Sequence, residues 1–505
     1  MSEAPQVFHE TAAFHYPDYV VLSLYFVSLL WMGFYFAKRG KSTRDFFLAG
    51  QRIPWWAAGL SIFGTQLSAI TFMAVPAKTY ATDWTYFMSS MGIVAIAPIV
   101  IYLYLPFYRQ LNLTSAYEYL ERRFNVGVRW LGSLAYMLLQ MGRMSVVLFL
   151  PAVALATVTG MSVYTSILLM GVTTTIYTVL GGMEAVIWTD VMQVFVLAGG
   201  AIVALAFAVL QVGGLGAFLA MGQADGKFQT FVMSWDYTQP ATWVIVLGYF
   251  ALLAPYTADQ TIVQRYMTTR SEKDSARGIW TNALLSIPST LIFFSLGTAL
   301  YCFYETHPSH LNPNIKTDAI LPWFVVSELP AGIPGLVVAG IFAASMSTLS
   351  SIMNSVAAAL VTDFGKRLRP TVADLTWLRI ARALTLMLGV LVTGASLIMA
   401  TYDIASMWDQ WNKILGLFGG GLAGLFMLGI FSKRANGPGA LIGAAASAAA
   451  MYLVEEHTQI HFFLYGTVGV VTCVAVGYAA SFLFPKGKSV LDGLTLFTRK
   501  RSRLP

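Results

Sequence analysis

Hydroxyl side chains are concentrated in one stretch of an otherwise apolar segment, FAASMSTLSSIMNS (342–355). Serine or threonine fills five of the seven positions from 345 to 351. On a helix, an i, i+3, i+4, i+7 spacing places residues on one face, here Ala344, Ser347, Thr348 and Ser351 with Ser350 beside them. Hard cations take oxygen ligands, and hydroxyls with main-chain carbonyls can hold a monovalent cation such as sodium. Close packing of two membrane helices through small residues is the alternative.

A second polar interruption lies in GLSIFGTQLSAITF (59–72). Gly64 and Ser68 weaken a helix there. Polar side chains follow near the middle of the segment, at Gln66, Ser68 and Thr71. Unwound backbone is tolerated at membrane depth only where it lies within protein or lines a cavity. We therefore predict a broken span that faces the hydroxyl-bearing helix; a kinked packing helix is the alternative.

Two charged residues, Asp190 and Arg143, fall within apolar segments. Ionisable groups are costly at membrane depth and point to function. We predict that Asp190 completes a second cation site with Ser347, Ser350 and Ser351. Arg143 is expected to face a cavity, because its planar guanidinium suits bidentate capture of a carboxylate. A structural ion pair between Asp190 and Arg143 is the alternative.

The composition is that of a membrane protein. Of the 505 residues, 57% are apolar and 11% are charged, whereas about a quarter are charged in soluble proteins. The net charge of +7 resides in the breaks between apolar runs, so it does not indicate a nucleic-acid partner. Thirteen runs are predicted to cross a hydrocarbon core of about 30 Å, approximately over 19–37, 54–78, 84–106, 127–157, 161–180, 184–210, 241–264, 276–303, 332–362, 376–401, 408–431, 437–454 and 461–484.

Alternate breaks between these runs are rich in Lys and Arg, and one of them holds Arg265, Arg270, Lys273 and Arg277. The positive-inside rule makes these breaks cytoplasmic, with the N-terminus outside and the C-terminus in the cytoplasm. The second and seventh runs are both interrupted, by GTQLSAIT and APYTADQ. Five spans separate them, as a five-plus-five inverted repeat requires.

Four motifs in this order resemble the sodium/solute symporter family over essentially the whole chain: TSAYEYLERRF (114–124), GGMEAVIWTDVMQ (181–193), ADQTIVQR (258–265) and ASMSTLSSIMNS (344–355). Within it, the chain is most similar to bacterial sodium-coupled sialic acid symporters. The resemblance implies an all-α polytopic membrane protein with a LeuT-type core. It also implies sodium as the coupling ion, no cofactor and no enzymatic activity.

Family likeness also implies the organisation of the chain. A single transmembrane transporter domain is expected over 1–505. Its expected parts are a peripheral first helix (19–37), an inverted-repeat core (54–431), two peripheral C-terminal helices (437–484) and a basic cytoplasmic tail (485–505).

The same resemblance implies three sets of site residues. The main sodium site would use Gly64, Leu67, Ala344, Ser347 and Thr348. The second sodium site would use Asp190, Ser347, Ser350 and Ser351. The substrate carboxylate would bind Arg143, and the other substrate-binding residues would be Gln66, Ser68, Thr71, Tyr86 and Ser90.

Some positions depart from the family pattern. Ser90 stands where a longer amide side chain is expected, and Gln66 replaces a smaller hydroxyl residue. Pro255 and Tyr256 stand where sugar symporters carry an aromatic gate. An organic acid is therefore favoured over a neutral hexose.

We accordingly expect a monomeric symporter of the bacterial inner membrane that imports sialic acid (N-acetylneuraminate) with two sodium ions. Another organic acid (a monocarboxylate, a vitamin acid or a sugar acid) remains open, as does a sugar. A channel or membrane sensor is the alternative from another class. Membrane depth offers no paired carboxylates, nucleophile with a base, or histidine cluster, which argues against an enzyme.

Overall fold

The computed structural model describes residues 14–313, 315–401, 407–485 and 491–498. The first half contains α1 (Tyr16–Ala37), α2 (Thr43–Leu48), α3 (Trp55–Gln66), α4 (Ala69–Ala81), α5 (Phe87–Ile99), α6 (Leu105–Leu111), α7 (Glu118–Arg123), α8 (Val126–Thr159), α9 (Val163–Gln211) and α10 (Leu215–Ala224). The second half contains α11 (Thr242–Thr257), α12 (Gln260–Tyr266), α13 (Glu272–Thr306), α14 (Ile320–Glu328), α15 (Ile333–Ala359), α16 (Lys366–Leu368), α17 (Asp374–Met399), α18 (Met407–Phe431), α19 (Gly437–His457) and α20 (Tyr465–Ala480). The predicted all-α class is confirmed.

Membrane-spanning length is reached by nine of the described helices, or eleven spans if each of two bent pairs is counted as one. The longest, α9, has 49 residues and breaks at Gly182, where φ is +57° and ψ is −150°. A Cβ at Gly182 would lie 2.7 Å from Phe46, so both the backbone angle and the packing require glycine. The break divides α9 close to the boundary expected between spans 161–180 and 184–210. The total of thirteen spans stays a prediction.

Two of the described spans are broken. The axis bends by 57° between α3 and α4 and by 64° between α11 and α12. At the first break Leu67 has a non-helical ψ of 81°, and the Ser68 side chain caps α4 by accepting from Thr71 N. At the second, the Asp259 side chain caps α12 by accepting from Thr261 N at 2.7 Å. The predicted interruptions of the second and seventh spans are thus confirmed, each with a capped half-helix beyond it.

Helix α15 lies at the centre of the molecule, where every residue from Val337 to Ala359 is buried. It packs most extensively against α9 and also contacts α8, α1, α3 and α4. Outer helices instead present apolar side chains at the surface, such as Trp31 on α1 and Val390 on α17. Such a surface suits lipid rather than water. The buried hydroxyls of α15 are thus separated from the lipid by the outer helices.

The last three helices pack on one another and meet the rest of the bundle through α11 and α8. Two of them, α19 and α20, occupy the region predicted as peripheral (437–484). The expected division of the chain into core and peripheral parts stays a prediction. Cys302 in α13 and Cys473 in α20 are free, buried thiols, so no disulfide joins them.

Candidate ion and substrate sites

The hydroxyl face of α15 contacts the last turn of α3. Ser347 Oγ donates to Gly64 O at 3.1 Å, and Thr348 Oγ1 donates to Thr65 O at 3.2 Å. Both hydroxyls also lie 3.2 Å from Ala344 O. Carbonyl and hydroxyl oxygens from two elements therefore converge beside the break between α3 and α4.

Leu67 and Gly64 shape the α3 side of this convergence. Leu67 ends α3, so the helical hydrogen-bond ladder stops there and main-chain oxygens become available to other partners. A Cβ at Gly64 would lie 2.8 Å from Val194 Cγ2 of α9. Glycine thus allows α3 to approach α9 closely. The structure brings Gly64, Ala344, Ser347 and Thr348 together, and Leu67 lies at the adjoining break.

Asp190 of α9 lies in a completely buried polar cluster. Its Oδ2 accepts from Ser61 Oγ at 2.5 Å and from Arg265 Nη2 at 2.9 Å. No hydrogen bond from the described residues reaches its Oδ1. Arg265 Nη2 also donates to Ser351 Oγ, and Thr65 Oγ1 lies 3.0 Å from the same oxygen. Asp190 and Ser351 are therefore joined through Arg265.

The other residues predicted for the second ion site lie on α15. Ser350 Oγ donates to Ser347 O at 3.1 Å, and both side chains are buried. This main-chain hydrogen bond uses only the Ser350 proton. The hydroxyl oxygen keeps lone pairs that can ligate a cation.

Arg265 is the buried ion-pair partner of Asp190, which the sequence analysis did not identify. It was predicted to lie in a basic break, whereas it belongs to α12 and its side chain is 0% exposed. Its Nε donates to Ser61 Oγ at 2.7 Å, and its Nη1 donates to Thr261 O at 2.5 Å. Because a lone buried carboxylate requires a partner, Asp190 itself was the signal for this arginine. The alternative pair of Asp190 with Arg143 does not form.

A cavity of about 220 Å³ lies at the break between α3 and α4, bounded also by α5, α11 and α13. Of the predicted substrate-binding residues, Gln66, Thr71 and Ser90 line it. Gln66 Nε2 donates to no acceptor among the described residues. The first turn of α4, whose N-terminus carries a partial positive charge, holds Thr71. The cavity thus joins polar side chains to the positive end of a half-helix.

The other predicted substrate-binding residues lie outside this lining. Ser68 is used as the cap of α4. The Tyr86 ring packs against Phe463, with 5.6 Å between centroids, and Lys78 Nζ lies 5.2 Å from its centroid. Arg143 lies on α8.

Charged and polar neighbours connect Arg143 to the cavity wall. The charge of Arg143 is close enough to interact with Asp259 and Tyr256, and Tyr256 lines the cavity. Arg143 is therefore coupled electrostatically to a residue of the wall without forming part of the lining.

Sequence reasoning missed a polar face of α13 that lines the same cavity, formed by Asn282, Ser286, Ser289 and Thr290. Asn282 Nδ2 donates to the Tyr256 hydroxyl at 3.3 Å. Its Oδ1 has no hydrogen-bond donor among the described residues. These residues follow the i, i+4, i+7, i+8 spacing of one helix face, and the same helical periodicity identified the hydroxyls of α15. The signal was present in the sequence.

Together these groups can bind a polyhydroxylated solute. Amide and hydroxyl groups provide both donors and acceptors, while the α4 N-terminus and nearby Arg143 favour a negative charge. Fixed polar groups in a largely apolar pocket are the usual basis of orientation and specificity. The oxygens of α3 and α15 adjoin the same break, which also bounds the cavity.

Comparisons with known proteins agree with this arrangement. The model of the sodium:solute symporter family matches residues 46–446. The sodium/sialic acid symporter NanT of Aliivibrio fischeri is 42% identical over 98% of this chain and 99% of its own length. SiaT of Proteus mirabilis, also a sodium/sialic acid symporter, is 40% identical over 94% of this chain and 97% of its own. A solved substrate-bound, outward-open sodium-coupled sialic acid symporter superimposes with a TM-score of 0.90 at 38% identity, covering 94% and 100% of the two chains.

These matches confirm the predicted resemblance and the LeuT-type fold class. They identify a multi-pass membrane transporter rather than an enzyme. By fold, by full-length similarity and by the family model, the chain belongs to the sodium:solute symporter family.

Proposed function

We propose that this protein is a sodium-coupled symporter that imports sialic acid with two sodium ions per substrate. Full-length relatives that transport sialic acid with sodium support the choice of solute. The single structural observation that carries the proposal is the break between α3 and α4. One side of it meets the hydroxyls of α15, and the other side bounds the polar cavity.

The main sodium ion would bind between α3 and α15. Oxygens of Gly64, Ala344, Ser347 and Thr348 already lie within 3.2 Å of one another in pairs. Rotation of the two hydroxyl protons would turn their lone pairs towards a cation without moving the backbone. Leu67 O, at the end of α3, would complete the set. The ion would fasten the broken span to α15 and so order the cavity.

The second sodium ion would bind beside Asp190. Asp190 Oδ1 is a buried carboxylate oxygen that accepts no hydrogen bond from the described residues, and carboxylate oxygens are good ligands for hard cations. The hydroxyl oxygens of Ser350 and Ser351 lie on the adjoining face of α15. Because Ser347 belongs to both proposed sets, binding at one site would be coupled to binding at the other.

The substrate would occupy the cavity with its carboxylate towards the α4 N-terminus and Arg143. Its hydroxyl and amide groups would pair with Gln66, Asn282 and the α13 hydroxyls, which include unpaired donors and acceptors. Ion and substrate would then stabilise the same cavity wall. Sodium would raise the affinity for the substrate, and the substrate would raise the affinity for sodium by the same factor.

The membrane potential would drive the cycle. Each sodium that crosses 100 mV contributes about 2.3 kcal/mol, and two ions with one anion move net positive charge inward. We infer an N-terminus outside and a C-terminus in the cytoplasm, from the basic breaks. A monomer in the inner membrane of a bacterium is expected to suffice, because both proposed sites are built from one chain.

Uptake of labelled sialic acid into proteoliposomes tests the proposal, with an inward sodium gradient compared with an equal potassium gradient. Arg143→Ala should abolish uptake. Asp190→Ala should lower the sodium Hill coefficient towards one. Arg44→Ala changes an exposed arginine and should leave both properties unchanged. Uptake that is independent of sodium, or sodium conduction without substrate, would overturn the symporter assignment. Sodium-driven uptake of another organic acid in place of sialic acid would overturn only the solute.

A further inference from the structure

A second cavity lies far along the chain from the proposed transport site, at one end of α18 and α20. Its volume is about 430 Å³. Its lining contains two cations, Lys433 and Arg434, and no acidic residue, and its apolar wall includes Met427, Phe431, Val474 and Phe497. The two cations belong to a break predicted to face the cytoplasm. The cavity therefore combines positive charge with an apolar wall at a membrane boundary.

The arginine in this cavity has unused hydrogen-bonding capacity. Arg434 Nη2 donates to Phe484 O at 3.0 Å, and the guanidinium carbon lies 5.0 Å from the Phe482 ring centroid. Arg434 Nη1 is buried and donates to no acceptor among the described residues. A guanidinium that is fixed through one nitrogen and unpaired at another is suited to a phosphate oxygen.

The lysine lies beside the C-terminal segment. Leu496 N donates to Ile430 O at 2.9 Å, which ties residues 491–498 to the end of α18. Lys433 Nζ lies 5.2 Å from the Phe497 ring centroid. Basic residues then follow directly in the sequence TRKRSRLP (498–505).

Apolar surface continues outward from the same cavity. Phe482 is 58% exposed and Leu483 80% exposed, and Tyr478 and Phe497 are also exposed. Large exposed apolar groups beside the cations Lys433 and Arg434 fit a ligand with a charged head and a hydrocarbon tail. A free inorganic anion would use only the charges and would leave the apolar wall without a partner.

From this geometry we propose that the cavity binds an anionic phospholipid. The lipid phosphate lies between Lys433 and Arg434, and an acyl chain lies along Met427, Phe431 and Val474. Positive charge favours an anionic headgroup, such as phosphatidylglycerol, over a zwitterionic one. Because α18 and α20 both line the cavity, the bound lipid joins the C-terminal helices at their basic end.

Native mass spectrometry of the full chain in detergent tests this, with phosphatidylglycerol, phosphatidylcholine and inorganic phosphate as separate probes. Lys433→Gln should weaken phosphatidylglycerol binding by about fivefold, since one cation near a membrane surface contributes about that factor. Val474→Phe fills the apolar wall and should also weaken binding while leaving the charge intact. Val474→Phe is used as the second variant in place of a change at Arg434. Arg434 donates to Phe484 O, so its removal could disturb the fold as well as the site.

The matched control is the double variant Arg270→Gln and Lys273→Gln, which removes charge from another basic break and should leave lipid binding unchanged. Equal binding of phosphatidylglycerol by the Lys433→Gln and Val474→Phe variants and the parent would overturn the proposal. Equal affinity for phosphatidylcholine would do the same. Competition of inorganic phosphate with the lipid at equal concentration would assign the site to a phosphate ion and overturn the lipid.

Discussion

The protein contains two buried arginine–aspartate clusters that use their carboxylates differently. Asp363 accepts from Arg129 Nε and Nη2 at 2.9 and 2.7 Å through Oδ1. Through Oδ2 it accepts from Ser115 and Ser133 at 2.8 and 2.9 Å. Both of its oxygens are therefore satisfied by the protein.

In Asp190, by contrast, only one of the two carboxylate oxygens accepts hydrogen bonds from the described residues. Its Oδ2 accepts from Ser61 and Arg265, whereas no donor among the described residues reaches Oδ1. Both carboxylates are 0% exposed, so burial does not explain the difference. We call the Asp363 cluster saturated, because both carboxylate oxygens have donors, and the Asp190 cluster half-saturated, because one oxygen has none. A saturated cluster fixes helices in place, whereas a half-saturated one retains an oxygen for a ligand. The same two residue types thus provide a structural tie in one place and a proposed ion site in the other.

The largest expected effect is on stability, at the saturated cluster. Arg129→Ala leaves the Asp363 charge buried without its cation and should lower the free energy of unfolding by about 3–5 kcal/mol. Arg367→Ala removes an exposed arginine from the same region and should cost only about 0–1 kcal/mol. Unfolding in detergent, followed by intrinsic fluorescence, measures both. If Arg129→Ala and Arg367→Ala lowered the free energy of unfolding by similar amounts, the buried Arg129–Asp363 pair would be no more stabilising than the exposed Arg367–Glu121 pair.

Sodium dependence should separate the two aspartates. Asp190→Asn should weaken sodium binding by about 5–150-fold, the range of typical coupling free energies, and should lower the Hill coefficient towards one. Asp363→Asn should reduce stability while leaving the Hill coefficient unchanged. Thermal stabilisation by sodium, titrated for each purified variant, gives the comparison. An unchanged sodium response of Asp190→Asn would refute the second ion site.

Two serines of α15 sharpen the assignment of ligands. Ser347→Ala removes an oxygen that both proposed sodium sites share, and should weaken sodium binding about tenfold, as expected for a bond to a charged group. Ser345→Ala is the matched control, because Ser345 is equally buried and its hydroxyl contacts only the Ile341 carbonyl at 3.5 Å among the hydrogen bonds described. Sodium titration of uptake measures both variants, and equal weakening would assign the effect to packing.

The smallest effect concerns pH, at the rim of the saturated cluster. Burial raises the pKa of Glu121, but hydrogen bonds from Arg129 and Arg367 more than offset this, so the pKa lies below its ordinary value. The stabilisation from these pairs is therefore present above the unfolded pKa of about 4.3. It is lost as the pH falls through the lower folded value. Melting temperatures from near-neutral to acidic pH should fall more for the parent than for Glu121→Gln. Parallel curves would contradict this.

Much of the fold followed from local patterns. Gly64, Ser68 and Asp259 marked the two broken spans because they are residues that weaken or cap helices. The spacing of Ser347, Thr348 and Ser351 placed them on one face, and that face meets α3. Such inferences succeed because they depend on residues near one another in the sequence.

What the sequence did not provide depends on contacts between distant segments. From the sequence, Arg265 was assigned to a cytoplasmic basic break. In the structure α12 places it in contact with α3, α9 and α15. The predicted contacts of Arg143 and Tyr86 with substrate depend on helix rotation, which periodicity alone does not set. Asn282 could have been found, because a lone amide in an apolar span is costly and indicates a functional or packing role.

The hydrogen bonds from Ser347 to Gly64 O and from Thr348 to Thr65 O have a consequence for turnover. After delivery, a carrier must return to its starting state empty, and a pair of helices held only by an ion would separate once that ion left. These two neutral bonds keep α3 and α15 in register at modest cost, since each contributes only about 1 kcal/mol. These bonds are weak enough for an ion at the proposed sodium site to replace, and they hold the two helices together when that site is empty.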